Sequence, residues 1–234
     1  MSGTDPLGEA VDPTPRPRPD HVAITGASVT LEPLQAGHAD ALWPAAEAAS
    51  ESWLWLPFGP FDSRAAFAGY CRFMAVSKGE LVWAVRPHGA DGQPGPAAGW
   101  LALLDIRPAD AAIELGNIWF PPGLARTRAA TEAMFLLLDL AFRLGYRRVS
   151  WKCNTLNTAS CRAAERLGFR FEGVLRAHMV VRAHRRDTAY YSLLDGEWPE
   201  RRTAIARWLH GGNFDSAGRA IERLERPKDP HGTA

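Results

Sequence analysis

The sequence predicts an α/β fold, one mixed sheet with helices packed on its faces. Three observations predict it. In the first half, short apolar runs are separated by turn residues, as antiparallel strands require. From residue 112 onward, strand-like and helix-like runs alternate as strand–helix–strand–helix–strand, an order that lays helices over a sheet. The length of 234 residues, 46% hydrophobic and 23% charged, fits one globular domain with appendages rather than a disordered chain.

The elements follow in order. Residues 1–20 have no periodic apolar pattern and contain Pro13-Thr14-Pro15-Arg16-Pro17-Arg18-Pro19, so a disordered, proline-rich tail is expected. Ser28-Val29-Thr30-Leu31 reads as a strand. Ala36 to Ser50 is helical, with Leu42, Ala45, Ala46 and Ala49 on one side. Trp53 to Phe58 is apolar and ends in turn residues. Asp62 or Ser63 caps a helix carrying Phe67, Tyr70 and Met74, stopped at Gly79. Leu81 to Arg86 and Ala97 to Ile106 form a hairpin around the loop His88 to Gly95, and Ala112 to Phe120 is a further strand ended by Pro121-Pro122-Gly123. Thr127 to Leu144 is the best helix, with Met134, Leu137, Leu138 and Ala141 at helical spacing and Gly145 as its left-handed cap. Val149 to Cys153 is a strand, Thr158 to Leu167 a helix closed by Gly168, and Phe169 to Val174 and Ala189 to Leu194 are strands. Residues 21–200 thus make the domain, and 201–234 a helical extension with a loose terminus.

Composition excludes several functions. No run approaches the roughly 18 apolar residues that cross a bilayer, and the first thirty residues lack a signal-peptide core. Cys71, Cys153 and Cys161 are an odd set without metal-ligand spacing, which argues against a disulfide framework or a metal and for a reducing, cytoplasmic setting. The net charge of +1 argues against a nucleic-acid binder. Yet residues 1–100 carry 6 basic and 11 acidic side chains, residues 101–234 carry 21 and 15, and 146–187 alone holds ten Lys or Arg against three acids. A bound anion therefore belongs on the C-terminal half. A solvated arginine-rich surface explains the same counts.

Two junctions bear chemistry. After the strand ending at Phe120, the loop Pro121 to Ala125 feeds a helix whose first N–H groups and dipole favour an anion. Arg126 and Arg128 stand at that helix start, where cations are unfavourable unless something negative lies between them; the alternative is that both point to water. Further on, Asn157 is well placed as a helix cap, and Ser160 either closes the cap or faces a cleft.

These residues in order carry a resemblance. Asn157-x-x-Ser160, then Ala164-Glu165-Arg166-Leu167-Gly168-Phe169, then Glu172-Gly173-Val174-Leu175-Arg176 resembles the C-terminal signature of the GNAT N-acetyltransferase superfamily. More narrowly it resembles the branch of ribosomal-protein N-terminal acetyltransferases and their uncharacterised relatives. Val29-Thr30-Leu31-Glu32-Pro33-Leu34, Thr131-Glu132-Ala133, Arg186-Asp187 and Glu197-Trp198-Pro199 fit the same branch, so the match covers roughly residues 22–200.

The resemblance implies the GNAT acyl-CoA N-acyltransferase fold, a mostly antiparallel sheet splayed in its middle with acetyl-CoA lying in the V. The strand around Ile118, Trp119 and Phe120 would offer backbone N–H groups to the thioester and pantetheine. The loop of Arg126, Thr127, Arg128, Ala129 and Ala130 would cradle the pyrophosphate, and Asn157 would bond the pantetheine. An amine, either a small molecule or a protein N-terminus, would attack the thioester directly, without a covalent enzyme intermediate. That chemistry asks for a polarised carbonyl, a base for the ammonium proton and an acid for the thiolate. Glu114 is the candidate base, with a strand carboxylate paired to a neighbouring arginine as the bland alternative; His178 is a second candidate or a surface histidine. Trp53, Trp55 and Trp119 are core residues or line an acceptor cleft.

Two departures matter. The family's phosphate loop runs Gln/Arg-x-x-Gly-x-Gly/Ala, whereas Ala125 to Ala130 place Arg128 at the glycine. Either the arginines supply the contact or coenzyme binding is weakened. The superfamily's tyrosine acid is replaced by Ala164, leaving Ser160 as the nearest substitute. A catalytically silent acyl-CoA-binding module is therefore the rival reading. The Trp- and Leu-rich composition and the resemblance point to a homodimer.

Overall fold

The structure, a computed structural model, describes residues 8–227 and is organised by one eight-stranded sheet. Its strands are β1 (Ile24–Thr25), β2 (Val29–Pro33), β3 (Leu81–Pro87), β4 (Gly99–Arg107), β5 (Ala112–Trp119), β6 (Arg148–Asn154), β7 (Arg170–Val181) and β8 (His184–Leu194). They lie side by side as β1-β2-β3-β4-β5-β6-β8-β7. The helices are α1 (Ala39–Ala48), α2 (Arg64–Ala75), α3 (Arg128–Arg143), α4 (Thr158–Leu167) and α5 (Trp198–Trp208). Every pair of neighbouring strands is antiparallel except β5 and β6, between which α3 carries the chain back to its starting edge.

Alternation along the strands feeds two cores. On one face Leu101, Leu103, Ile113, Leu115, Val149 and Trp151 pack against Leu137 and Leu138 of α3, Leu167 of α4 and Ile205 of α5. On the other, Val82, Trp100 and Trp119 meet Leu42 of α1, Phe67 and Met74 of α2, and Trp53 from the loop between those helices. Trp53 lies flat on Trp119, ring centroids 4.4 Å apart, so the loop after α1 is anchored in the core rather than draped over it. Gly59 holds the return of that loop: its φ is +65°, and a Cβ there would meet the Trp53 ring at 2.7 Å.

The sheet splits in its middle. Only Ala112, Ile113 and Glu114 of β5 pair with β6, opposite Arg148, Val149 and Ser150. Beyond them β5 stays on β4 as far as Trp119, and β6 stays on β8 as far as Asn154. A bulge in β5 opposite Trp100 and Ala102, with Asn117 left-handed at φ +47°, turns the strand away and opens a V.

The boundaries differ from expectation at both ends of the domain. Residues 8–20 carry no helix or strand, yet the proline-rich segment is not loose where it is described. Arg16 N–H donates to Pro108 O at 3.0 Å, Tyr146 Oη to Pro17 O at 3.2 Å, and Arg18 to Lys78 O at 2.8 Å; Pro19 is buried. Prolines forbid a strand but not an extended strap whose carbonyls accept hydrogen bonds. After α5 the chain stays attached, with Leu224 buried and Arg226 paired to Glu165 at 2.6 Å. Residues 1–7 and 228–234 of the expected tails lie outside the described residues.

Candidate active site

A cavity of about 650 Å³ fills the V and is lined by Glu114 to Ile118 and Phe120 on the β5 side and by Trp151 to Asn154 on the β6 side. Its far walls come from opposite ends of the fold. Ala125, Arg126 and Ala130 from the start of α3 join Asn157, Ser160 and Arg166 on one side, while Trp55, Leu56, Phe58, Glu80, Met179 and Arg186 line the other.

Glu114 sits where the two strands part. It is 5% exposed, and its Oε2 lies 2.8 Å from Lys152 Nζ on β6. Burial pushes its carboxyl up from the ordinary value; the Lys152 ammonium opposes that, and the nearby carboxylates of Asp105 and Glu80 add to it. For Lys152, burial pulls down but the contact with Glu114 outweighs it, so the ammonium keeps its proton. Glu114 is therefore a cavity-lining carboxylate that is also paired, with a lysine rather than an arginine. Gly116 leaves room for it, since a Cβ there would stand 3.1 Å from Glu114 Oε1.

Ser160 faces the same cavity. Its Oγ accepts from Trp151 Nε1 at 3.0 Å, which turns the hydroxyl proton away from the indole. Cys153 stands beside it with its Sγ 3.5 Å from Cys161 Sγ, and burial holds the Cys153 thiol protonated, up to about 12. Asn157 caps α4 by accepting from Ser160 N–H at 3.1 Å through Oδ1, which leaves its amide NH₂ for the cavity it lines. His178 bonds Thr188 Oγ1 through Nδ1 at 3.1 Å and stands on the exposed β7, outside this cavity.

The phosphate-loop residues separate. Arg126 lines the cavity from a left-handed backbone at φ +64°. Arg128 does not. Its Nε donates to Leu209 O at 2.9 Å and its guanidinium lies 5.1 Å from the Phe214 ring, so of the two arginines expected to face an anion only Arg126 lines the cavity. The C-terminal extension, unseen from the local pattern, supplies Arg128 with a carbonyl and a π face. Thr127 caps α3, accepting from Ala130 N–H at 3.1 Å and donating to Leu124 O at 2.7 Å. Ala129 is buried in the core and Ala130 lines the cavity; both are small enough to let a ligand approach the helix start. Ile118 and Phe120 line the cavity, whereas the Trp119 indole is buried and donates to Ser52 Oγ at 2.9 Å. Of the three tryptophans considered for an acceptor cleft, Trp55 lines the cavity and Trp53 and Trp119 form core.

Several residues at this site carried no motif. Asn117, at the bulge, donates from Nδ2 to Glu80 Oε2 at 2.5 Å. Arg182, at the tip of the β7–β8 hairpin, donates to the carbonyls of Trp53 at 3.0 Å and Phe58 at 2.8 Å, and to that of Gly59, fastening the hairpin over the loop that bears Trp55 and Phe58. The length of β7 and β8 was the only available signal, and both exceed the expected strands because the outer half of the hairpin is exposed on almost every residue and shows no buried-and-exposed alternation. Among the described residues no group of His, Cys, Asp and Glu could hold a metal, and no helix is long and apolar enough to cross a membrane.

Comparison with known proteins gives a consistent picture. A family model described as the acetyltransferase (GNAT) domain matches residues 28–170. The chain is 45% identical to a GCN5-related N-acetyltransferase from Brucella melitensis, covering 90% of this chain and 96% of that one at a TM-score of 0.85. It is 40% identical to a protein described as a probable acetyltransferase of the GNAT family from Chromobacterium violaceum, covering 85% and 98% at a TM-score of 0.75. At 18% identity, covering 72% and 93% at a TM-score of 0.63, it shares its fold with the microcin C7 self-immunity acetyltransferase MccE, whose structure is a complex with acetyl-CoA and AMP. No curated protein matches the chain.

Proposed function

The chain belongs to the GNAT acetyltransferase family, and on that premise we propose that it transfers the acetyl group of acetyl-CoA directly to a primary amine. The observation that carries this reading is the V itself. A buried carboxyl raised by its surroundings, Glu114, lies on one wall, and a hydroxyl held by an indole, Ser160, lies on the other.

In this reading acetyl-CoA enters from the α3 and α4 side, where Arg126, Ala130, Asn157 and Ser160 line the cavity. The free N–H groups at the start of α3 and the Arg126 guanidinium hold phosphate oxygens, and Asn157 Nδ2 bonds the pantetheine. Backbone N–H groups of β5 beyond Glu114, released from β6, face the thioester carbonyl and draw charge onto its oxygen. The amine nitrogen approaches from the side of Trp55 and Glu80, and Glu114 takes its proton, directly or through one water. As the N–C bond forms, the C–S bond breaks and Ser160 Oγ–H gives a proton to the departing sulfur. A carboxyl with raised proton affinity suits this base, because proton transfer is best matched near the working pH. The free thiols of Cys71, Cys153 and Cys161 suit a reducing cytoplasm. The homodimer that the resemblance implies belongs to the same proposal, with sedimentation as its check.

The test is calorimetry with acetyl-CoA followed by an assay of thiol release with a panel of amines. Coenzyme binding with amine-dependent thiol release is expected, lowered on the order of 10²-fold or more in Glu114→Gln at neutral pH. Binding without turnover on any amine would leave the silent acyl-CoA-binding module. Absence of binding would remove the enzyme reading.

A further inference from the structure

Resting on that reading, we propose that the acceptor is an amine that also carries an anionic group, a carboxylate or a phosphate, held by Arg186. Five buried side-chain polar atoms have no hydrogen-bond partner among the described residues: Arg16 Nε, Trp100 Nε1, Asn117 Oδ1, Arg186 Nε and Arg201 Nε. Two of these belong to residues that line the cavity, and they are of opposite kind, the acceptor Asn117 Oδ1 and the donor Arg186 Nε. Buried polar groups are ordinarily satisfied, and two unmet groups on residues that line one cavity mark where a ligand of matching polarity would gain most.

The Asn117 end fits an ammonium. Its Nδ2 is committed to Glu80, which fixes Oδ1 as the free atom, and the carboxyls of Glu80 and Glu114 line the same part of the cavity. The Arg186 end fits an anion that the protein itself does not provide. Among the described residues Arg186 makes no ion pair. Its sequence neighbour Asp187 accepts from Ala177 N–H at 2.8 Å and stands 3.5 Å from Arg185, while Glu114 is taken by Lys152. Arg182, at the tip of the same hairpin, is spent on backbone carbonyls. A guanidinium partly withdrawn from water without a counterion is unfavourable, and its Nε and Nη edge matches two oxygens of a carboxylate or phosphate.

The two ends cannot be served by one ion. Tyr190 pairs with Lys152 across β8 and β6, and Arg186 lies four residues further along β8, roughly 13 Å of strand. One molecule with separated charges meets both. A polyamine would instead set a cation against Arg186, which disfavours it.

The experiment compares matched acceptors on the full chain with acetyl-CoA: α-amino acids against their carboxamides, O-phosphoethanolamine against ethanolamine, and putrescine. The carboxamide has the less basic amine and so more of the attacking free base, so a preference for the acid would run against intrinsic reactivity. The anionic member of at least one pair is expected to have the higher kcat/KM; which pair shows it distinguishes carboxylate from phosphate. In Arg186→Gln, KM for that anionic acceptor should rise roughly 10- to 100-fold, the worth of a charged hydrogen bond, with affinity for acetyl-CoA unchanged and Arg186→Lys recovering part of the loss. Neutral amines or putrescine preferred, or equal losses on charged and neutral acceptors, would overturn the proposal while leaving acetyl transfer intact. If no amine is acetylated, the transfer reading fails and binding decides. A rise in melting temperature given by the anionic amine but not its neutral partner, and absent in Arg186→Gln, upholds the site; no such difference overturns it.

Discussion

Replacing Lys152 by methionine tests the role of Glu114 more sharply than replacing Glu114 itself. The ammonium lies 2.8 Å from Glu114 Oε2 and is the influence that lowers the carboxyl's proton affinity; burial, Asp105 and Glu80 all raise it. Methionine keeps much of the side-chain volume and removes the charge. Deleting one partner of a buried ion pair costs ~3–5 kcal/mol, and the Lys152 side chain is 27% exposed beside an open cavity, so the lower end applies. About 3 kcal/mol is therefore the expected loss of stability in urea unfolding at neutral pH, and the carboxyl's proton affinity should rise further.

The expected readout is the pH profile of kcat with a saturating acceptor. The acid limb should move to higher pH in Lys152→Met, with activity at pH 7 lowered and recovering as pH rises. Stability should follow the same sign. A carboxyl whose folded proton affinity is raised is at no disadvantage below its ordinary value of 4.5; its penalty grows above that and levels off once the folded value is passed, so the variant, with the higher folded value, should go on losing melting temperature to higher pH than the parent. Glu114→Gln should lack that limb, with or without Lys152. An unmoved limb in Lys152→Met would show that Glu114 is not the titrating group, and a parental rate in Glu114→Gln would reduce it to a structural carboxylate.

Three further outcomes are expected. Arg182→Ala should release the hairpin from the carbonyls of Trp53, Phe58 and Gly59 and raise the acceptor KM roughly 10-fold in steady-state kinetics without changing acetyl-CoA affinity; a change in coenzyme affinity alone would count against its role as a clamp. Glu132→Ala should cost about 3 kcal/mol in urea unfolding, because the buried carboxylate accepts from Ala27 N–H and Ser28 N–H at 2.6 Å each and both donors are left unmet. Arg126→Ala should weaken acetyl-CoA roughly 10-fold in calorimetry, with less salt dependence than the parent, whereas Arg128→Ala should lower stability through its lost contacts with Leu209 O and Phe214 and leave affinity alone; equal effects on affinity would refute the division.

What could be read from the sequence divides along the same lines as the site. The strand–loop–helix from Ala112 to Leu144 was legible because each part obeys a local rule: alternation in the strand, Thr127 as cap, Gly145 as stop. Asn157 and Gly168 bracket α4 in the same way. The β7–β8 hairpin was not legible beyond its inner halves. Its turn is formed by Arg182 and Ala183, both left-handed at φ +49° and +60°, positions where Asn or Gly ordinarily announces the turn. The strain is offset by contacts of the Arg182 side chain with a loop more than 120 residues away, which no local pattern records. Arg128 misled for the matching reason: a cation at a helix start signals a nearby anion only if its side chain stays there, and Phe214 draws it elsewhere.

This division has a functional consequence. In the proposed function the coenzyme wall is made of backbone N–H groups, helix starts and caps, drawn from the continuous stretch between Glu114 and Ser160, so it follows once the fold forms. The acceptor wall is made of side chains from the loop at Trp55, from Glu80, from the bulge at Asn117 and from the hairpin at Met179 and Arg186, brought together only by the sheet. Glu114 and Lys152 stand at the seam, on the last rungs that β5 and β6 share before the V opens. Changes at Trp55, Met179 or Arg186 can therefore alter which amine is accepted without disturbing the core or the thioester. Changes at the seam should alter the rate for every amine alike. The proposed function therefore predicts that acceptor choice and chemistry are separable, because they rest on different elements.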